Sequence, residues 1–97
     1  KTLKAHKDNL KNNLKQAFHK AAEESKKLTK KPSNEVLLQL YSLFKQAESG
    51  DVRGSRPGFT DPVGRAKFDA WTSIKGMSQE TAMQKYVDLV QHLQSQN

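Results

Sequence analysis

Tyr41, Phe44 and Lys45 are spaced i, i+3 and i+4, which places them on one face of a helix. A phenol, an aromatic ring and an ammonium side by side suit a phosphorylated aromatic ligand. The base stacks on a ring, while the ammonium and the phenol reach a phosphate. Lys67, beyond a glycine-rich stretch, offers a second cation, and Tyr86 a further ring with a polar tip. Periodicity alone favours the ordinary arrangement, with Tyr41 and Phe44 in a core and Lys45 and Lys67 in solvent.

Residues for other chemistry are missing. The chain has no cysteine, which excludes disulfides, thiolate metal sites and cysteine catalysis. His6, His19 and His92 are far apart, and none stands at metal-ligand spacing to another donor. There is no nucleophile motif and no phosphate-cradling glycine motif. Glu23, Glu24 and Asp69 read as solvated helix residues, since nothing near them in sequence raises a carboxyl pKa. No catalytic residue, no metal and no cofactor are expected.

Helical spacing dominates the elements that must position the first group. Leu14, Phe18, Ala21, Ser25 and Leu28 share a face and predict a first helix over 14–28. Leu3 and Leu10 extend the stripe backwards, so residues 1–13 are expected to form a basic, at least partly helical extension, with the domain proper spanning 14–97. Ser33 or Asn34 caps a second helix carrying Val36, Leu37, Leu40, Tyr41, Phe44 and Ala47, and Gly50 ends it. The stretch from Gly50 to Gly64 holds four of the five glycines and two of the three prolines. With Phe59 in its middle it reads as a packed functional connection. Asp61-Pro62 opens a third helix that Gly76 closes. Ser78 caps a fourth, with Ala82, Met83, Tyr86, Leu89, Val90 and Leu93 as its buried stripe and fraying from Gln91. The fold class is all-α, four helices in one domain.

The formal charge is +7 over 97 residues. Five lysines against one aspartate in residues 1–15 supply +4 of it, leaving +3 for the remainder. A basic module for nucleic acid is thus permitted by charge, but no helix carries Arg, Asn and Gln at base-reading positions. Lys1, Lys4, Lys7, Lys11 and Lys15 follow helical spacing opposite three leucines. That pattern reads as a soluble helix extension, or alternatively as an element that docks on an anionic membrane surface. No apolar run exceeds three residues, which excludes a transmembrane span. A cytoplasmic monomer is the expectation.

The order of several blocks adds a family reading. Tyr41-Ser-Leu-Phe44-Lys45-Gln46-Ala-Glu-Ser-Gly50-Asp51 is followed by Arg56-Pro57-Gly58, then Ala66-Lys67-Phe68-Asp69-Ala70-Trp71, then Lys75-Gly76, Ala82-Met83 and Tyr86. Phe18-His-Lys-Ala-Ala-Glu-Glu24 and Lys31-Pro32 precede them. From about Phe18 onward the chain resembles the acyl-CoA-binding protein family. The resemblance implies a four-helix up-down-down-up bundle that binds one long-chain acyl-CoA non-covalently in a surface cleft and carries and buffers it. It implies that Tyr41, Lys45 and Lys67 hold the 3′-phosphate of the CoA ribose. Phe44 and Tyr86 would lie along the adenine and the CoA moiety, Ala22 and Lys26 would border the cleft, and Leu37 and Leu38 would cover the acyl chain. For Arg56 it implies a mainly structural role. The same resemblance predicts weak binding of free fatty acid and much stronger binding of the long-chain CoA ester.

Two positions depart from the family pattern. Phe44 stands where the family usually has Tyr, which removes a phenolic hydroxyl but keeps the stacking surface. A hydrogen bond to a charged group is worth about 1.5–3 kcal/mol. Phe68 stands where the first Trp of AKWxAW usually lies, so the indole N–H is absent and acyl-chain preference is expected to differ.

Overall fold

The computed structural model describes residues 2–96, with side chains described from Asn12 onward. The stripe formed by Leu3 and Leu10 and the lysines Lys1, Lys4, Lys7 and Lys11 therefore lie outside the described side chains. Four helices make up the chain: α1 (Thr2–Ser25), α2 (Asn34–Ser49), α3 (Pro62–Thr72) and α4 (Gln79–Ser95). No strand occurs among the described residues.

Three helices start at a side-chain cap that accepts a hydrogen bond from an otherwise unpaired backbone N–H. Ser33 Oγ accepts from Val36 N at 3.3 Å, Asp61 Oδ1 from Gly64 N at 3.1 Å and Ser78 Oγ from Thr81 N at 3.0 Å. Gly64 leaves room for this cap, since a Cβ there would push the Asp61 carboxylate aside. Gly50 ends α2 at φ 80°, in the left-handed region that favours glycine, and its N–H returns to the Gln46 carbonyl.

Three helix boundaries differ from the spacing. The first helix ends at Ser25 rather than Leu28. Its last bonds tighten to i−3, from Lys26 to Glu23 and Lys27 to Glu24, and the chain turns off while Leu28 still packs on the core. The third ends at Thr72. Thr72 Oγ1 and Ser73 Oγ bond back to the carbonyls of Phe68 and Ala70, and a series of turns then runs to Gly76. The fourth does not fray at Gln91. Leu93 is buried and pins its last turn.

Cross-helix contacts set the directions. Residues 15–19 lie with 79–83, and Glu24 to Thr29 with Gln94, so α1 and α4 run parallel. Val36 lies with Leu93, Phe44 with Tyr86 and Ala47 with Gln79, so α2 is antiparallel to α4. Tyr41 lies with Lys67 and Lys45 with Trp71, so α3 runs parallel to α2. The order is up-down-down-up, with the extended first helix expected from the sequence. The core joins Phe18 and Ala21 of α1 and Leu40, Leu43 and Ala47 of α2 to Ala82, Tyr86, Val87, Val90 and Leu93 of α4. The third helix packs on α2 alone among the helices, which leaves a seam between them at the surface.

Candidate functional site

The α2–α3 seam has a closed end and an open end. At the closed end Gln46 is fully buried and every polar atom of its amide is used. Its Nε2 donates to Asp51 Oδ1 at 2.9 Å and to the Met77 carbonyl at 2.7 Å. Its Oε1 accepts from Trp71 Nε1 at 3.1 Å, and the same indole donates to the Gly50 carbonyl at 2.9 Å. Gly76 N–H also donates to Asp51 Oδ1, at 2.8 Å. That N–H foremost, and then Gln46, hold the Asp51 carboxyl below the usual carboxylate value. The C-terminus of α2, Trp71 of α3 and the turn before α4 are thereby locked together. One block out, Arg56 grips Asp69 through two 2.8 Å bonds and holds its carboxyl down. Arg56 is therefore a strut for the loop, as the resemblance implies.

The open end is a groove of about 470 Å³ lined by Asn34, Leu37, Leu38, Tyr41, Pro62, Val63, Ala66 and Lys67. A smaller recess of about 260 Å³, lined among others by Ser25, Leu28, Pro32, Phe44 and Tyr86, shares Leu37 and Tyr41 with it. The two therefore meet at the Tyr41 ring. Lys67 Nζ lies 5.3 Å from the centre of that ring, and Lys45 Nζ lies 5.1 Å from the centre of the Trp71 ring. Each ammonium of one helix thus rests on an aromatic face of the other, at parallel positions one turn apart. Neither lysine is in a salt bridge with a carboxylate among the described residues. Two fixed cations without counter-charges, beside an apolar groove, make a site for a ligand that is anionic at one end and apolar at the other.

Of the residues proposed from sequence, the groove brings together Leu37, Leu38, Tyr41 and Lys67; Lys45 lines neither cavity and lies one helical turn on from Tyr41, over the Trp71 ring. Phe44 and Tyr86 belong to the recess. Their rings are 5.9 Å apart and both meet Phe18, at 5.4 and 5.2 Å. Tyr86 is only 4% exposed, and its phenol donates to Ser25 Oγ at 3.3 Å. Ala22 is half-buried against the core and Lys26 is exposed beside Glu23 at 3.9 Å; neither lines the groove or the recess. Ser25 and Leu28 take that place on the α1 side. Sequence reasoning missed Val63 and Ala66 as lining residues, although their i, i+3 spacing next to Lys67 could have revealed them.

Among the described residues no group of His, Asp and Glu is placed to hold a metal ion, and no helix is long and apolar enough to cross a membrane. Fold and site together define a small helical bundle with a groove between parallel helices whose lining suits an amphipathic anion. Residues 15–90 match the family model described as acyl CoA binding protein. The chain is 50% identical over 76 residues to an acyl-CoA-binding protein homolog of Drosophila melanogaster, covering 78% of this chain and 88% of that one. It is 50% identical over 80 residues to an acyl-CoA-binding protein of Brassica napus, covering 82% and 87%. The crystal structure of Oryza sativa acyl-CoA-binding protein 2 superposes with a TM-score of 0.82 at 41% identity, covering 86% of this chain and 92% of that one. The chain belongs to the acyl-CoA-binding protein family.

Proposed function

We propose that this protein binds one long-chain acyl-CoA without a covalent step and serves as its carrier and buffer, as a cytoplasmic monomer without catalytic activity. The observation that carries this reading is the pair of ammonium groups held on aromatic faces without carboxylate partners, Lys67 lining the apolar groove and Lys45 one helical turn on from Tyr41, over Trp71. A phosphate supplies the missing counter-charge. In this reading Tyr41, Lys45 and Lys67 hold the 3′-phosphate of the CoA ribose. Phe44 and Tyr86 back the nucleotide from the recess, and Leu37, Leu38, Val63 and Ala66 cover the chain.

The two halves of the ligand contribute differently. Charge-assisted hydrogen bonds fix orientation. Each buried methylene adds about 0.8 kcal/mol, so affinity should climb with chain length until the groove is full. Isothermal titration with palmitoyl-CoA, octanoyl-CoA, free CoA and palmitate tests the reading. Tight one-to-one binding of the long ester, weaker binding of the other three and a marked loss in Lys45→Ala are expected. No heat with any of the four would end it.

A further inference from the structure

The loop ahead of α3 carries an aromatic ring that no part of the protein covers. Phe59 is 82% exposed, at the second position of the turn closed by Asp61 N–H on the Gly58 carbonyl. Val63, 64% exposed, follows in the first turn of α3 and lines the apolar groove. Large apolar side chains bare to water beside a ligand groove mark a partner surface. The charges around them point to the partner. Arg53 and Arg65 flank the pair in sequence, and neither is in a salt bridge with a carboxylate among the described residues. Arg53 spends one N–H on the Ser49 carbonyl, at 3.2 Å, and keeps the rest of its guanidinium. Between residues 53 and 67 the sole acid is Asp61, already engaged as the cap of α3.

A segment of apolar tips among cations matches the boundary of an anionic bilayer, where rings enter the acyl region and cations meet phosphates. We propose that residues 53–67 dock the ligand-free protein on an anionic lipid surface, with Phe59 inserted, so that an acyl chain leaving the bilayer enters the groove beside Val63. This rests on the carrier reading, because a poorly water-soluble acyl ester is held by membranes and must be collected there. The apolar tips, Phe59 and Val63, are two side chains with no groove between them to seat a partner's side chain, whereas a bilayer asks only for apolar tips and positive charge.

The test uses the full chain and vesicles of phosphatidylcholine with or without about a third phosphatidylserine. In Phe59→Trp, anionic vesicles should shift the emission of the introduced indole to the blue, and bromine-labelled acyl chains should quench it. Phe59→Ser should weaken partitioning to anionic vesicles about five- to tenfold. It should leave solution affinity for octanoyl-CoA unchanged, since Phe59 lines neither the groove nor the recess. Adding Lys4→Glu and Lys7→Glu to the Phe59→Trp variant should leave the quenching in place. An introduced indole that is neither shifted nor quenched, or undiminished partitioning of Phe59→Ser, overturns the proposal. If the lysine variant alone abolishes binding, docking belongs to α1 instead. Absence of acyl-CoA binding in solution would sink the carrier reading separately, because vesicle partitioning is measured without ligand.

Discussion

The two ends of the α2–α3 seam are built from the same pair of helices and end in opposite states. At the closed end the Gln46 amide, Asp51 Oδ1, the Trp71 indole and the Gly76 N–H satisfy one another. Toward the open end Lys67 rests on the Tyr41 face, and one turn back Lys45 rests on the Trp71 face; the rings fix the ammonium groups without neutralising them. Hydrogen-bond saturation makes a joint, and cation–π support leaves the positive charge available to an anion. Trp71 serves both, its N–H in the joint and its face under Lys45.

The largest effect should come from breaking the joint. Gln46→Ala removes a fully buried amide and leaves the Met77 carbonyl and one Trp71 contact unpaired. A loss of about 2–4 kcal/mol is expected in urea unfolding, from unsatisfied buried groups plus the cavity. Under conditions where the variant stays folded, its affinity for palmitoyl-CoA should fall far less than its stability. An equal fall in both would show that the two ends are one unit.

Lys67→Ala should do the reverse. Its single described contact is the Tyr41 face, and exposed cation–π pairs contribute about 0.5–1 kcal/mol, so urea unfolding should change little. The lost charge-assisted bond to phosphate is worth about 1.5–3 kcal/mol, which is roughly ten- to hundredfold in Kd by titration with palmitoyl-CoA. Stability lost without affinity would make Lys67 a structural residue and dissolve the contrast.

How much of this was legible in the sequence follows from the kind of contact. Caps and the i, i+3, i+4 group read directly, because they are local: Ser33, Asp61 and Ser78 begin helices and Tyr41 shares a face with Lys45. The crossed pairing of Lys67 on Tyr41 and Lys45 on Trp71 could not be read, because it depends on the parallel register of α2 and α3. The Gln46 joint spans sequence separations of 25 and 31 residues, beyond any periodic signal. Helix ends were misplaced where side chains bonding back, or burial at the last turn, decided the boundary, as at Thr72 and Leu93. Val63 and Ala66 read as apolar members of the third helix and not as groove lining, because only the packing of that helix on α2 leaves them facing the groove.

Phe44→Tyr sharpens the open end by a smaller step. The Phe44 ring lines the recess between Phe18 and Tyr86, and an added phenol returns the hydroxyl usual in the family. Affinity for the CoA ester should rise by about tenfold, the low end for one added hydrogen bond to a charged group, with unfolding changed by less than about 1 kcal/mol. Unchanged affinity would mean that the nucleotide does not reach the recess beside Phe44.

The smallest effect separates the two ends by pH. Asp51 and Asp69 are held below the ordinary carboxylate value of 3.8, the first mainly by Gly76 N–H and the second mainly by Arg56. A carboxyl depressed in the folded state adds stability above its unfolded value and loses it as pH falls through the folded one. The melting temperature should therefore hold steady down to about pH 4 and decline below it. The decline should be modest because both groups are exposed, and Arg56→Gln should flatten part of it. Among its described lining residues the open groove contains no carboxylate, so its pH response comes from the ligand. A phosphate monoester takes up its second proton near pH 6, with a pKa of about 6. Affinity for palmitoyl-CoA should weaken between pH 7 and 5, a window in which the melting temperature of the free protein does not move. If affinity stays level to pH 4 and then falls in step with stability, the ammonium pair is not reading a phosphate charge, and Lys45 and Lys67 lose their role as its counter-ions.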